Sequence, residues 1–238
     1  EVRMTGAPNV FTLISGPDAT PSDTDQDTVL IDGVKAQGTV SLSTGASADN
    51  LTIKRSDFNF VVGTTASNTS IKTGAGADVV RIGSDANEFT PVVVRGQLSL
   101  DLGGDSQNDR DTVRIQDLDV FEDFALGLGG GDDDLVMDHV TVRKNLILAA
   151  MSGNDNAALT QVTVFETVFA QMGAGDDTLN MVGVKARKIE ADGGAGANDR
   201  LFTFDMTNVP LTRSGFEEIN GSRLSLKKAT VAGVPASR

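Results

Sequence analysis

The chain has 238 residues, 39% of them apolar, with 26 glycines, 11 phenylalanines and neither tryptophan, tyrosine nor cysteine. That length makes one large domain or two small ones, and Val, Leu, Ile, Ala and Phe must fill the core, which suits the narrow interior of a coil better than a wide globular one. The formal charge of −13 argues against nucleic acid, whose phosphates need a basic face, and against anionic membranes, while it favours solubility and divalent cations. No run of about 18 apolar residues occurs, so no membrane insertion is expected. The lack of Cys leaves the redox compartment open.

Residues 1–26 read as an N-terminal strand or cap (Asn9 to Ile14) followed by a polar, acidic linker, SGPDATPSDTDQD from Ser15. The chain begins at Glu1 without a basic and then apolar leader, so a secreted or cell-surface protein would have lost its signal peptide. From Asp27 a repeat begins. Short strands follow Gly/Asp turns: DTVLI (Asp27), DNLTI (Asp49), DVVRI (Asp78), DTVRI (Asp111), DDLVM (Asp133), AALTQ (Ala157), DTLNM (Asp177), DRLFT (Asp199) and, more loosely, SRLSL (Ser222). Their first inward residues would be Val29, Leu51, Val80, Val113, Leu135, Leu159, Leu179, Leu201 and Leu224, at intervals of 22, 29, 33, 22, 24, 20, 22 and 23. The two long intervals carry polar insertions, Ser84 to Pro91 and Gly103 to Arg110.

A second alternating strand precedes each turn (TVSLS, TSIKT, QLSLD, FALGL, NLILA, TVFAQ, KIEAD), and Leu42–Leu51, Ile71–Val80, Leu126–Leu135 and Ala170–Leu179 are each 9 residues apart. A third apolar segment falls near Val34, Phe58, Val140, Val162 and Val184. Three short strands per period predict an all-β, right-handed parallel β-helix of about eight rungs over residues 27–231, with 232–238 as a C-terminal tail. A β-sandwich would explain the strand count but not one Gly/Asp corner per longer period. Lys227 and Lys228 would blunt the last edge.

The corners GAGADVV (Gly74), GGGDDDL (Gly129) and GAGDDTL (Gly173) resemble the GGxGxDxUx repeat of RTX, or haemolysin-type calcium-binding, proteins. The resemblance implies Ca²⁺ held between neighbouring coils by turn carboxylates, here Asp49, Asp78, Asp133 and Asp177. It covers the corners only. This chain has one turn per 20–33 residues, Ser47 replaces a Gly, and Ala157 stands where an Asp is expected after Gly153. Stacked carboxylates repel unless neutralised. Two devices are open: Ca²⁺, which takes about six to eight oxygens, or each Asp capping its own turn through backbone N–H groups.

Catalysis has thin support. His139 is the sole histidine, and on a strand its neighbour Asp138 would face the opposite side and not orient it. The first outward column reads Leu30, Thr52, Arg81, Arg114, Val136, Thr160, Asn180, Phe202 and Ser225, with Asp32, Lys54, Gln116 and Asp138 in the next. Arg81 and Arg114 would stack, which suits a site for acidic glycans, yet no carboxylate pair accompanies them. The expected function is a non-catalytic spacer, adhesin or matrix module, calcium-stabilised, whose partner is a cell-surface or matrix polysaccharide or protein. The alternative is a polysaccharide lyase or hydrolase working through Arg81 and Arg114.

Overall fold

The computed structural model describes residues 10–14, 26–59, 67–84, 90–103, 109–206, 209–220 and 222–223. These residues form a parallel β-solenoid of about eight turns, without helix. The alternation seen in the sequence explains why. Each strand offers one apolar face, and a lone rung cannot bury it. Stacking rungs about 4.8 Å apart pairs the backbone and closes the apolar face into a column.

Two sheets run the length of the stack. One follows the post-turn strands in the order Thr28–Asp32, Asn50–Lys54, Val79–Gly83, Thr112–Val120, Asp134–Val142, Asn156–Thr160, Thr178–Val182 and Arg200–Phe204, all parallel. The other runs from Val10–Ile14 through Thr39–Ser43, Thr69–Lys72, Leu98–Asp101, Phe124–Gly127, Leu146–Ala149, Thr167–Gln171 and Lys188–Asp192 to Leu211–Ser214. The N-terminal strand therefore pairs in register with Thr39–Ser43 as a member of the stack. The third segment forms short pairings, Lys35–Ala36 on Asp57–Phe58 and then on Val92–Val94, continuing onto Leu118–Val120 and Val140–Val142.

The register corrects the sequence alignment at two rungs. Ala157, not Leu159, lies between Leu135 and Leu179, and Leu159 lies between Met137 and Met181. Ala158, not Thr160, consequently stands in the outward column after Val136. At the far end Ile219 pairs with Leu201. The final rung is thus entered at Glu218–Ile219, closed by an antiparallel pairing with Ser222–Arg223, while Leu224, Ser225, Lys227 and Lys228 lie outside the described residues. Most of the linker after Ser15 and the centres of both insertions, 85–89 and 104–108, also lie outside them.

The core is a set of columns of like residues. Ile31, Ile53, Ile82, Ile115, Met137, Leu159 and Met181 stack in one, and Leu42, Ile71, Leu100, Leu126, Leu148, Ala170 and Ala191 in another. All are buried. Each Ile, Leu and Met among them contributes about 1.5–3 kcal/mol on burial.

The Gly corners are forced by the same spacing. At Gly153, φ is +126° and a Cβ would sit 1.8 Å from the Gly131 carbonyl oxygen of the rung before. Gly33 also has positive φ, +67°, but its Cβ would meet nothing within 4 Å. Gly153→Ala should therefore destabilise the fold well beyond the roughly 1–2 kcal/mol expected of a left-handed alanine, whereas Gly33→Ala should cost about that amount and no more. Urea unfolding of the two variants measures the difference.

Candidate functional site

The corner aspartates form one continuous internal ladder. The backbone N–H of Asp27 donates to Asp49 Oδ1 at 2.9 Å. Asp49 donates to Asp78, Asp78 to Asp111, Asp111 to Asp133, Asp133 to Asp155, Asp155 to Asp177 and Asp177 to Asp199, each at 2.7–2.9 Å. Asp199 ends the series by donating to Glu217 Oε2. Asp49 to Asp199 are no more than 3% exposed. The four predicted positions, Asp49, Asp78, Asp133 and Asp177, are thus brought onto one line, together with Asp111, Asp155 and Asp199.

Two expectations change. The carboxylates cap the rung before them, because the fixed stacking distance puts the next rung's side chain within reach of the N–H, and Asp199 also accepts from Gly196 of its own turn. The rung after Gly153 does carry its aspartate, Asp155. The strict interval of 22 from Asp111 through Asp133, Asp155 and Asp177 to Asp199 is the signal that a strand-based alignment passes over.

Burial dominates the chemistry of this ladder. It pushes Asp78, Asp133 and Asp177 up to about 6 and Asp111 and Asp155 up to about 8, with neighbouring carboxylates adding to the rise and the accepted backbone N–H bonds opposing it. The Oδ2 atoms of Asp133, Asp155 and Asp177 are buried without a hydrogen-bond partner. Among the described residues no group of three or more His, Asp or Glu side chains is arranged to hold a metal ion. As placed, the ladder fits Ca²⁺ poorly: Oδ1 of each carboxylate is committed to an N–H, and the row is closed to solvent.

Beside it runs a second, exposed ladder of opposite sense, which the sequence reading missed. Asn154 donates its N–H back to Asp132 Oδ1, Asp176 donates to Asn154 Oδ1, and Asn198 donates to Asp176 Oδ1, at 2.7–3.1 Å. Here Asp and Asn alternate, so amide side chains separate the charges and Asn198 Nδ2 also reaches Asp176 Oδ2 at 2.8 Å. These bonds hold Asp176 below the usual carboxylate range.

His139 occupies a bend. Its φ is +53°, in line with Asp117 (+53°), Gln161 (+50°) and Gly183 (+64°) on neighbouring rungs. The bend breaks strand alternation, and Nδ1 comes within 2.9 Å of Asp138 Oδ1, contrary to the expectation from strand geometry. The pair is a surface contact at a corner that His, Asn and Asp tolerate.

Arg81 and Arg114 are direct neighbours in register. With Thr52, Lys54, Ile82, Gly83, Ser84 and Gln116 they line a hollow of about 260 Å³ on the outside of the first sheet. No protein-family model, curated protein or solved structure matches the chain.

The inner ladder sets a pH dependence of unusual sign. A carboxyl group held above its unfolded value of 3.8 favours the fold most when protonated in both states. That contribution is lost as the pH rises through the folded values, here about 6 and then about 8. The urea midpoint should be higher at about pH 5 than at about pH 9. Asp155→Asn should flatten that difference while still accepting the Asp133 N–H. Asp155→Ala leaves the N–H unsatisfied and should cost about 1–3 kcal/mol.

Proposed function

We propose that the chain is a non-catalytic, rigid module of an exported or cell-surface protein, of spacer, adhesin or matrix type. The observation that carries this reading is the unbroken inter-rung bonding from Asp27 to Glu217. The chain's most buried acidic groups are spent on fixing rungs to one another and not on a reacting centre. Outside, the rungs are tied again by ion pairs, Asp32–Arg55, Asp57–Arg95, Asp119–Arg143 and Glu122–Lys144. Phe121 sits under both Arg95 and Arg143. A stack tied in this way holds its outer faces at fixed spacing, which is what a display or spacing element requires.

Calcium belongs to this reading as a proposal at Asp49 and Asp78, or around Asp133 and Asp177. The buried Oδ2 atoms of Asp133 and Asp177, which accept no hydrogen bond, support it, and the commitment of every Oδ1 to an N–H weighs against it. An ion bound only to the folded ladder would stabilise by roughly 2.7 kcal/mol at 100 times its dissociation constant. With the carboxylates serving as caps alone, the expected melting curve is the same in millimolar Ca²⁺ and in excess chelator. A melting temperature raised by Ca²⁺, and insensitive to it in Asp49→Asn with Asp78→Asn, would establish the RTX-like role.

The rival reading, a polysaccharide-active enzyme on acidic glycans, is favoured by the Arg81/Arg114 hollow alone. Incubation with polygalacturonate and with sulfated glycans should yield no unsaturated or shortened products. Turnover that disappears in Arg81→Ala and in Arg114→Ala would replace the module by the enzyme.

A further inference from the structure

Many cations of this protein meet a carboxylate of the neighbouring rung, a pattern that Arg81 and Arg114 do not share. Lys72 meets Asp101, Arg110 meets Asp134, Arg143 meets Asp119, Arg187 meets Glu166 and Arg200 meets Glu218, each across one rung boundary. Columns bring like positions together, and the sequence answers by placing opposite charges on neighbouring rungs. Arg81 instead stacks directly on Arg114, and neither has a carboxylate within ion-pair distance among the described residues. Like charges directly opposite one another in a sheet are destabilising. In a chain of net charge −13, acidic partners for them were not scarce.

The surface around them is concave. In the adjacent outward column Gly83 pairs with Gln116. Gly83 adds no side chain to the lining, a Cβ there being excluded by the Gln116 carbonyl oxygen at 1.5 Å, and a hollow of about 260 Å³ lies beside the pair. Arg81, Arg114, Lys54 and Gln116 line it, and among the described residues no Asp or Glu does. A comparable hollow of about 210 Å³ on the other sheet is lined by Glu190 and Asp192, so a cationic lining is not a general property of the outer face. Ser84 Oγ, at the edge, is hydrogen-bonded to Asp117, which engages that carboxylate away from the arginines.

We propose that the hollow over Gly83 is a binding subsite for an acidic glycan, gripping the carboxylate of one uronate residue between Arg81 and Arg114. Paired guanidinium groups match a planar carboxylate and bind it through charge-assisted bonds. The anion relieves the repulsion that the protein leaves uncompensated. Thr52 and Gln116 provide donors and acceptors suited to sugar hydroxyls. The volume lies below the roughly 300–1,000 Å³ of sites that enclose a whole ligand, which fits one residue of a chain running over the outer face. The site deepens the display reading but stands on its own geometry: binding without turnover supports both, and turnover with binding removes only the non-catalytic reading.

The test is calorimetric titration of the full chain with short polygalacturonate, uncharged dextran, polyglutamate and inorganic phosphate. Polygalacturonate is expected to bind and dextran not. Arg81→Ala and Arg114→Ala should each weaken binding by about tenfold or more, the double variant should abolish it, and Arg187→Ala should leave it unchanged. Arg81→Lys, which keeps the charge without the fork, should fall between. The melting temperatures of the unliganded alanine variants should equal or exceed that of the parent, because the like-charge contact is gone. Undiminished binding by the double variant overturns the proposal. So does binding of polyglutamate or phosphate as tight as that of polygalacturonate, which would make the hollow a general anion site. Lowered melting temperatures with unaltered binding would mark the arginines as structural, with the same consequence.

Discussion

Parallel stacking at one fixed spacing is the constraint on which the rest of this structure depends. Each residue has as its nearest non-sequential neighbours the residues at the same position one rung above and below. Apolar columns benefit directly, since Ile on Ile and Leu on Leu pack without further provision. Corner positions are constrained by it, because the carbonyl of the preceding rung occupies the space of a side chain, as the 1.6 Å approach of a Gly74 Cβ to Gly45 oxygen shows. Met151, with φ of +75°, is the exception in the first corner column, and it is an outward-facing side chain.

Charge is where the constraint bites hardest, and the chain solves it in three ways. The inner corner column is all Asp, so each carboxylate is given the N–H of the rung before it, and burial lifts its proton affinity until full ionisation of the row is unfavourable at neutral pH. The outer column alternates Asp132, Asn154, Asp176 and Asn198, which separates charges by composition. The two ladders run in opposite senses, so every rung there is held from both sides. On the outer faces, many cations meet a carboxylate of the neighbouring rung. Arg81 on Arg114 follows none of these solutions, and the proposed subsite rests on that departure more than on the residue types.

The division bears on function. Devices that fix the stack lie in the corners and the core, while variation is left to outward positions, whose identity the fold does not dictate. A solenoid in this form can carry a site at one rung without altering its neighbours, because each rung's contacts are confined to the two beside it.

The sequence by itself determined the parallel coil, its corner phase and most of its columns, because period-2 alternation and the Gly/Asp turn are local patterns that need no knowledge of partners. It also put Arg81 beside Arg114, since both follow the corner Asp at the same interval. It did not determine the column of Ala157, where AALTQ offers two apolar candidates two residues apart and only pairing with Leu135 and Leu179 chooses between them. Nor did it give the roles of the aspartates. Whether Asp133 caps its own turn, binds a cation or accepts an N–H from the neighbouring rung depends on a distance between rungs that no local pattern contains. The hollow beside Gly83 likewise exists only once the rungs place Thr52, Arg81, Arg114 and Gln116 side by side, because a concavity belongs to several rungs and not to one residue.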